Sequence, residues 1–189
     1  MIHRRRSCRD HSPRCGTAGQ DRLGLVSEMS PAEYGEALGS FASGVTVLTL
    51  REDLDDIGTT VTAFMAVAAE PPLVAIGLAA DSYVLEALHL TGTCALSLLA
   101  ADQSVLASRF AAAGRPSARL LLDDVPHARA AHSHALVLTA GMAALDCRVQ
   151  STFEAGDHVL VVLRIMDVVY VGEDREPLIR FRSRYRREL

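Results

Sequence analysis

Hydroxyl-bearing and very small side chains are concentrated in one stretch near the middle of the chain, residues 58–78. Thr60 and Thr62 supply hydroxyl groups beside backbone N–H groups, while Ala63 and Ala66 leave room for a ligand to approach the backbone. Ligand sites combine apolar walls with a few well-placed polar groups. We therefore expect this stretch to hold a polar, planar molecule.

Motifs for several other kinds of chemistry are missing. The sequence contains no GxGxxG or GxxxxGK[ST], and no GxSxG or HExxH, so Rossmann, P-loop, nucleophile-elbow and zincin sites are not indicated. His127, His132 and His134 form a cluster, but no cysteine or carboxylate joins them at ligand spacing. A solvated loop explains this cluster equally well, and we predict no metal site.

The elements around the threonine stretch are predicted to be strands. Residues 60–67 favour one strand, and 73–78 favour a second strand buried on both faces. Pro71 and Pro72 separate them, because proline supports neither a helix interior nor ladder pairing. An acidic turn, 52–58, is expected to pair the first strand with 45–50 in a hairpin.

Three short helices are predicted from their start signals. Ser30 and Glu33 form a capping box around Pro31. Asp81 or Ser82 begins the second helix and Asp102 the third. The residues expected to face the core are Tyr34, Ala37, Leu38 and Phe41, then Val84, Leu85 and Leu88, then Val105, Leu106 and Phe110.

The remaining chain is predicted to be mainly β. The segment 114–134 is irregular and is interpreted as a long loop or lid. The other expected strands are 94–99, 142–154, 158–171 and a short one within 177–189, which ends in an arginine-rich tail. This order indicates a mainly β, antiparallel barrel with a few short helices.

Composition limits the class of protein. The chain has 189 residues, 49% of them hydrophobic, which is enough for one domain with a substantial core. Residues 1–28 are arginine-rich and predicted to be a disordered extension, so the domain is 29–189. The formal net charge of −4 argues against nucleic-acid or anionic-membrane partners. No secretory signal or membrane span is recognisable, so a cytoplasmic location is expected. Cys8, Cys15, Cys94 and Cys147 show no paired spacing and are predicted to be free thiols.

Five separated segments resemble, in order and spacing, the flavin reductase-like family. They are FASGVTV at 41–47, TVTAFM at 60–65, the stretch from Val67 through PPLV at 71–74, GDH at 156–158 and RY at 184–185. The resemblance covers about residues 32–187. It implies an FMN-binding split β-barrel of antiparallel, Greek-key type, which acts as a homodimer.

The resemblance also implies an activity and a site. The activity is an NAD(P)H-dependent flavin reductase, which transfers a hydride from NADH or NADPH to FMN or FAD and supplies reduced flavin to a partner monooxygenase. His158 would lie near the nicotinamide. The implied cofactor-binding residues are Ser43, Gly44, Val45, Thr46, Thr60, Val61, Thr62, Ala63 and Phe64 along the flavin, Asp81 and Ser82 at its phosphate, Ser97 where the family often has Asn, and Arg184 and Tyr185 closing over it.

One departure from the family keeps alternatives open. Relatives usually place Arg or Lys beside Ser82, but this chain has Ala80 and the negatively charged Asp81 there. The positive charge that is missing beside the flavin phosphate would have to come from the helix N-terminus at Ser82, or from Arg109, Arg115 or Arg182. The alternatives are a non-catalytic or weakly flavin-binding dimeric subunit, and an oxidoreductase with tethered flavin acting on an organic substrate within 114–134. From the residues alone, His158 is better explained as a hairpin-turn residue beside a Gly-Asp turn than as a functional one.

Overall fold

The computed structural model describes residues 29–172 and 174–187; the expected extension 1–28, with Cys8 and Cys15, lies outside this range. The helices are α1 (Pro31–Gly39), α2 (Tyr83–Thr91), α3 (Ser104–Ala111) and α4 (Ala118–Leu121), with a 3₁₀ turn at Ala101–Gln103. The strands are β1 (Ser43–Gly44), β2 (Thr46–Glu52), β3 (Asp55–Val61), β4 (Phe64–Ala69), β5 (Pro72–Ala79), β6 (Thr93–Leu98), β7 (His127–Arg129), β8 (Leu136–Leu138), β9 (Ala143–Ala155), β10 (His158–Val171), β11 (Ile179–Phe181) and β12 (Arg184–Arg186).

Seven antiparallel strands form the main sheet, in the order β3-β2-β6-β9-β10-β5-β4. The two edge strands, β3 and β4, are joined directly through Thr62 and Ala63. Such a link reaches only about 11 Å even when extended, so the sheet must curl until its edges meet. The N–H of Gly77 on β5 donates to the carbonyl of Ala63 at 2.9 Å and extends the pairing of β4 with β5 into this link. The prediction of a mainly β, antiparallel barrel is confirmed.

The core fills the inside of the barrel. Alternate residues of β5 and β10, such as Ile76 and Val161, are fully buried and pack in one cluster with Leu48 and Leu96. The second predicted helix covers this cluster. Ser82 caps α2, and the expected core residues Val84, Leu85 and Leu88 are buried, as predicted.

The strand predicted at 60–67 is wrong in its extent. Val61 makes the last pair of β3 with β2, opposite Thr46. The chain then crosses at Thr62 and Ala63, and β4 pairs with β5 instead. Pro72 also pairs, opposite Ala69, because the first residue of a strand tolerates the missing N–H.

The predicted start of the third helix is also wrong. Asp102 lies in the 3₁₀ turn, and its carboxylate accepts hydrogen bonds from Arg175 Nη2 at 2.6 and 2.7 Å. The helix α3 therefore begins at Ser104 without a side-chain cap. Leu106 and Phe110 are buried as expected, but Val105 is 71% exposed because it lies off that face.

The first helix begins as predicted but buries nothing within the subunit. Ser30 and Glu33 form the expected capping box. However, no residue of α1 is buried, and Tyr34, Leu38 and the following Phe41 are all exposed. The apolar face of α1 is therefore available to a ligand or to another subunit.

The segment 114–134 is not a free loop or lid. It contains α4 and β7, and the guanidinium of Arg129 donates to both carboxylate oxygens of the buried Asp56 at 2.8 and 2.9 Å. The backbone N–H groups of His132 and Ser133 donate to buried Asp146 at 2.7 and 3.1 Å. Two buried carboxylates from β3 and β9 thus fix this segment against the barrel. None of the helices in the described residues is long and apolar enough to cross a membrane.

Candidate functional site

The outer face of β5 forms a shallow trough. Ala75, Gly77 and Ala79 alternate along this face, opposite Val162, Leu160 and His158 of β10. Alternation directs the larger residues of β5 into the core and leaves only small ones outside. A Cβ on Gly77 would lie 3.1 Å from the Cβ of Ala63, so glycine permits a close approach of the two backbones.

A cavity of about 660 Å³ lies over the part of this trough formed by Ala75, Gly77 and Leu160. Four of the predicted cofactor-binding residues line it, namely Ser43, Thr62, Ala63 and Phe64. The exposed apolar face of α1 forms the opposite wall, with Tyr34 and Leu38. The structure therefore brings together three separated parts of the sequence.

A second, smaller cavity of about 160 Å³ adjoins the first. Gly44, Val45 and Thr46 line it, and Phe64 lines both cavities. Its lining is mostly apolar and includes Leu98 and Met142. Seven of the predicted residues thus lie around two neighbouring cavities.

The hydroxyl groups of three predicted site residues form hydrogen bonds within the protein. Thr46 Oγ1 donates to the carbonyl of Val61 at 2.8 Å, and Thr60 Oγ1 donates to that of Ala107 at 2.7 Å. Ser97 is buried, and its Oγ accepts from the N–H of Leu138 at 3.0 Å. Thr60, Val61 and Ser97 line neither of the two cavities.

Asp81 and Ser82 lie in a different depression of about 590 Å³. Ser82 Oγ accepts from the N–H of Leu85 at 3.3 Å and acts as the cap of α2. Arg115 lines the same depression, but its Nε donates to the carbonyl of Gly58 at 2.5 Å. Arg109, another candidate for compensation, pairs with Asp124 at 3.4 Å.

His158 begins β10 at the end of the trough, opposite Ala79. Its Nδ1 lies 2.8 Å from Oδ1 of Asp157, and its side chain is 52% exposed. This hydrogen bond lowers the pKa of Asp157 and orients the imidazole. His158 also lines a depression of about 650 Å³ with Glu86 and Glu154.

The terminal hairpin contributes Arg180, which the sequence analysis missed, and Arg182, which it named as a possible source of positive charge. Arg184 and Tyr185 lie on β12; Arg184 is exposed, while Tyr185 packs against the core cluster around Val45. Neither lines the cavity of 660 Å³, whereas Arg180 and Arg182 do. The pairing of β1 with β11, which sets Ser43 opposite Arg180, brings them there.

The cavity has the size and lining of a small-molecule site. Its volume lies within the usual range for such sites, about 300–1,000 Å³. Small residues form its floor, apolar residues its walls and hydroxyl groups part of its rim. These features fit a flat, tricyclic ring with a polar edge. Within the described residues, no group of three or more His, Cys, Asp or Glu side chains is placed to hold a metal ion.

The antiparallel barrel and the cavity on its outer face place this protein in the split-barrel class. Residues 38–188 match the family described as "Flavin reductase like domain". The reductase component of 4-hydroxyphenylacetate 3-monooxygenase from Thermus thermophilus is 35% identical over 154 residues, 82% of this chain and 94% of that protein. An NADH-dependent flavin reductase from a Rhodococcus species is 33% identical over 176 residues, covering 90% and 91%.

Solved structures agree with this assignment. The NADH:FAD oxidoreductase SgcE6 of Streptomyces globisporus superposes with a TM-score of 0.78 at 28% identity, covering 87% of this chain and 97% of that one. The chain belongs to the flavin reductase-like domain family. The predictions of this family, of the split-barrel fold and of a flavin reductase enzyme are confirmed.

Proposed function

We propose that this chain binds a flavin, FMN or FAD, in the cavity over β5 and reduces it with NADH or NADPH. The observation that carries this proposal is the cavity floor of Ala75 and Gly77, which a flat ring can cover, beside Thr62 and Phe64. When bound, the flavin accepts a hydride from the nicotinamide. The protein's part is to orient both rings and to keep them in contact.

The polar groups around the trough have separate roles in this proposal. Ser43 and Thr62 supply hydroxyl groups to the polar edge of the ring. Thr46 and Thr60 instead brace the wall, because their hydroxyl groups already donate to backbone carbonyls. Rigid support of this kind keeps a binding site in its productive geometry.

His158 is assigned to the nicotinamide end of the site. It precedes Leu160 by two residues on the same face of β10, a distance of about 7 Å. Asp157 holds Nδ1, so Nε2 is the free edge of the imidazole. That edge would orient the carboxamide of the nicotinamide over the flavin.

The functional unit is proposed to be a homodimer. Tyr34 and Leu38 on α1, Met65 and Val67 on β4, and Met166 on β10 are large apolar residues that the single subunit leaves exposed. Contiguous exposed apolar surface marks interaction sites. Pairing two subunits on these faces would cover them and close the open side of the cavity.

The acceptor of the reduced flavin is proposed to be a flavin-dependent monooxygenase reached by diffusion. Several relatives are named as reductase components of monooxygenases, including HsaB from Rhodococcus jostii at 27% identity. The site is an open groove on the barrel surface, from which a flavin can leave between turnovers. The flavin is therefore a substrate in this proposal.

The test is NADH oxidation followed by absorbance, with and without added FMN. Rapid loss of NADH that depends on FMN supports the proposal. A protein that turns yellow with FMN but oxidises neither NADH nor NADPH would be a binding subunit, and the proposal would be rejected. Light scattering during gel filtration gives the subunit number, and Val67→Glu should yield monomers if β4 lies in the dimer interface.

A further inference from the structure

Charge is distributed unevenly between the two ends of the proposed flavin site. Among the described residues that line the cavity of 660 Å³, the charged ones are Arg180 and Arg182, and no carboxylate joins them. The depression beside Ser82 has a different character. Asp55 and Asp56 line it but pair with Arg119 and Arg129, whereas Asp81 forms no ion pair within the described residues and opposes an anion there. An anionic group is therefore favoured at the arginine end of the site.

Both arginines are held by aromatic rings. The guanidinium carbon of Arg180 lies 5.6 Å from the centroid of the Tyr185 ring, and that of Arg182 lies 5.3 Å from the Phe181 ring. Within residues 29–172 and 174–187, no carboxylate forms an ion pair with either one. Stacking leaves the N–H edges of a guanidinium free to bind a phosphate in the plane of the group.

The backbone at this point is unusual for an arginine. Arg182 and Ser183 have φ angles of 48° and 58°, and they form the turn between β11 and β12. Two left-handed residues in succession are typical of turns that contain Asn and Gly. The N–H of Arg182 donates to the carbonyl of Gly39 at 2.7 Å and ties the turn to the end of α1. A strained arginine beside a cavity is a candidate for function.

We propose that Arg180 and Arg182 together bind a phosphate group of the ligand and supply the positive charge that is missing at Ala80. The phosphate belongs either to the flavin or to the nicotinamide dinucleotide, and the same two guanidinium groups suit both. This inference rests on the proposed function, because it takes the cavity over β5 to be the flavin site. It moves the phosphate subsite away from Ser82, where Asp81 opposes an anion.

The first test compares flavins with and without a phosphate. FMN and riboflavin are titrated into the wild type and into the double variant Arg180→Gln/Arg182→Gln, and flavin fluorescence is followed. If the phosphate is that of the flavin, FMN affinity should fall about 10- to 100-fold, as expected for the loss of charge-assisted hydrogen bonds, while riboflavin affinity should not change. Higher salt should weaken FMN binding in the wild type more than in the variant.

Arg186→Gln is the matched control. Arg186 lies in the same hairpin and stacks on Phe181 at 5.9 Å, but it does not line the cavity. It should bind both flavins as the wild type does; an equal loss of FMN affinity in this control would overturn the assignment. Should the double variant not fold, Arg182→Gly replaces it, because glycine relaxes the left-handed backbone and keeps the turn.

A second arm identifies the phosphate's source. The KM for NADH is compared with that for 1-benzyl-1,4-dihydronicotinamide, a hydride donor without phosphate. A loss confined to NADH assigns the arginines to the dinucleotide, and a loss confined to FMN assigns them to the flavin. Unchanged values for both overturn the inference, even in an enzyme that reduces flavin. A wild type that prefers FMN to riboflavin but oxidises no nicotinamide would refute the proposed function alone.

Discussion

Replacing Gly77 by valine tests whether the outer face of β5 is the floor of the flavin site. A Cβ at this position would lie 3.1 Å from the Cβ of Ala63, and the 2.9 Å hydrogen bond between these residues prevents their backbones from separating. The added methyl groups must therefore rise into the cavity. Overpacking of a fitted site costs about 1–3 kcal/mol, which corresponds to a loss of FMN affinity of about 5- to 150-fold.

The assay is a fluorescence titration with FMN, and the melting temperature of each variant is recorded. Ala68→Val is the control, because Ala68 is an exposed residue of the neighbouring β4 and lies outside the cavity lining. It should bind FMN as the wild type does. If Gly77→Val folds and binds FMN with unchanged affinity, the ring does not lie on β5 and the reasoning about the trough fails.

Three further outcomes are expected. His158→Ala should slow hydride transfer, measured by stopped-flow absorbance, about 10- to 100-fold while FMN affinity stays constant; equal transfer rates would remove His158 from the site. Arg129→Ala should lower the free energy of unfolding in urea by about 3 kcal/mol, because the fully buried Asp56 loses its bidentate partner and keeps only Arg119 at 3.6 Å. A change near zero would show that the pair does not hold the 114–134 segment. Burial raises the pKa of the Cys147 thiol to about 12 and that of Cys94 well above its usual value. Mass-mapped alkylation at pH 8 should therefore modify these two thiols only after unfolding, and rapid labelling of the native protein would contradict their burial.

Features encoded within a few residues could be predicted from the sequence. The caps at Ser30 and Ser82 depend on neighbours three residues away, and both helices begin where expected. The long β9–β10 hairpin follows from alternation around a turn at Gly156. Of the motifs that carry the family resemblance, those at 41–47 and 60–65 contain residues that line the cavity, whereas those at 156–158 and 184–185 do not.

Features that depend on distant partners could not be predicted. Thr60 has the residue type of a ligand contact, but its hydroxyl group is used by Ala107, 47 positions later. Asp56 appeared as part of an acidic turn, although Arg129, 73 positions away, pairs with it. Likewise, Arg182 enters the cavity lining through tertiary contacts of the terminal hairpin. Such pairings are set by packing of the whole barrel, which no local pattern contains.

The short link of Thr62 and Ala63 couples ligand binding to closure of the barrel. These residues join the two edges of the sheet and also line the cavity. A ligand that packs on this wall therefore resists opening of the barrel, so saturating flavin should slow amide exchange at Gly77, whose N–H donates to the carbonyl of Ala63 in the link. Substitutions that retune flavin preference at this corner would alter the cooperativity of unfolding as well.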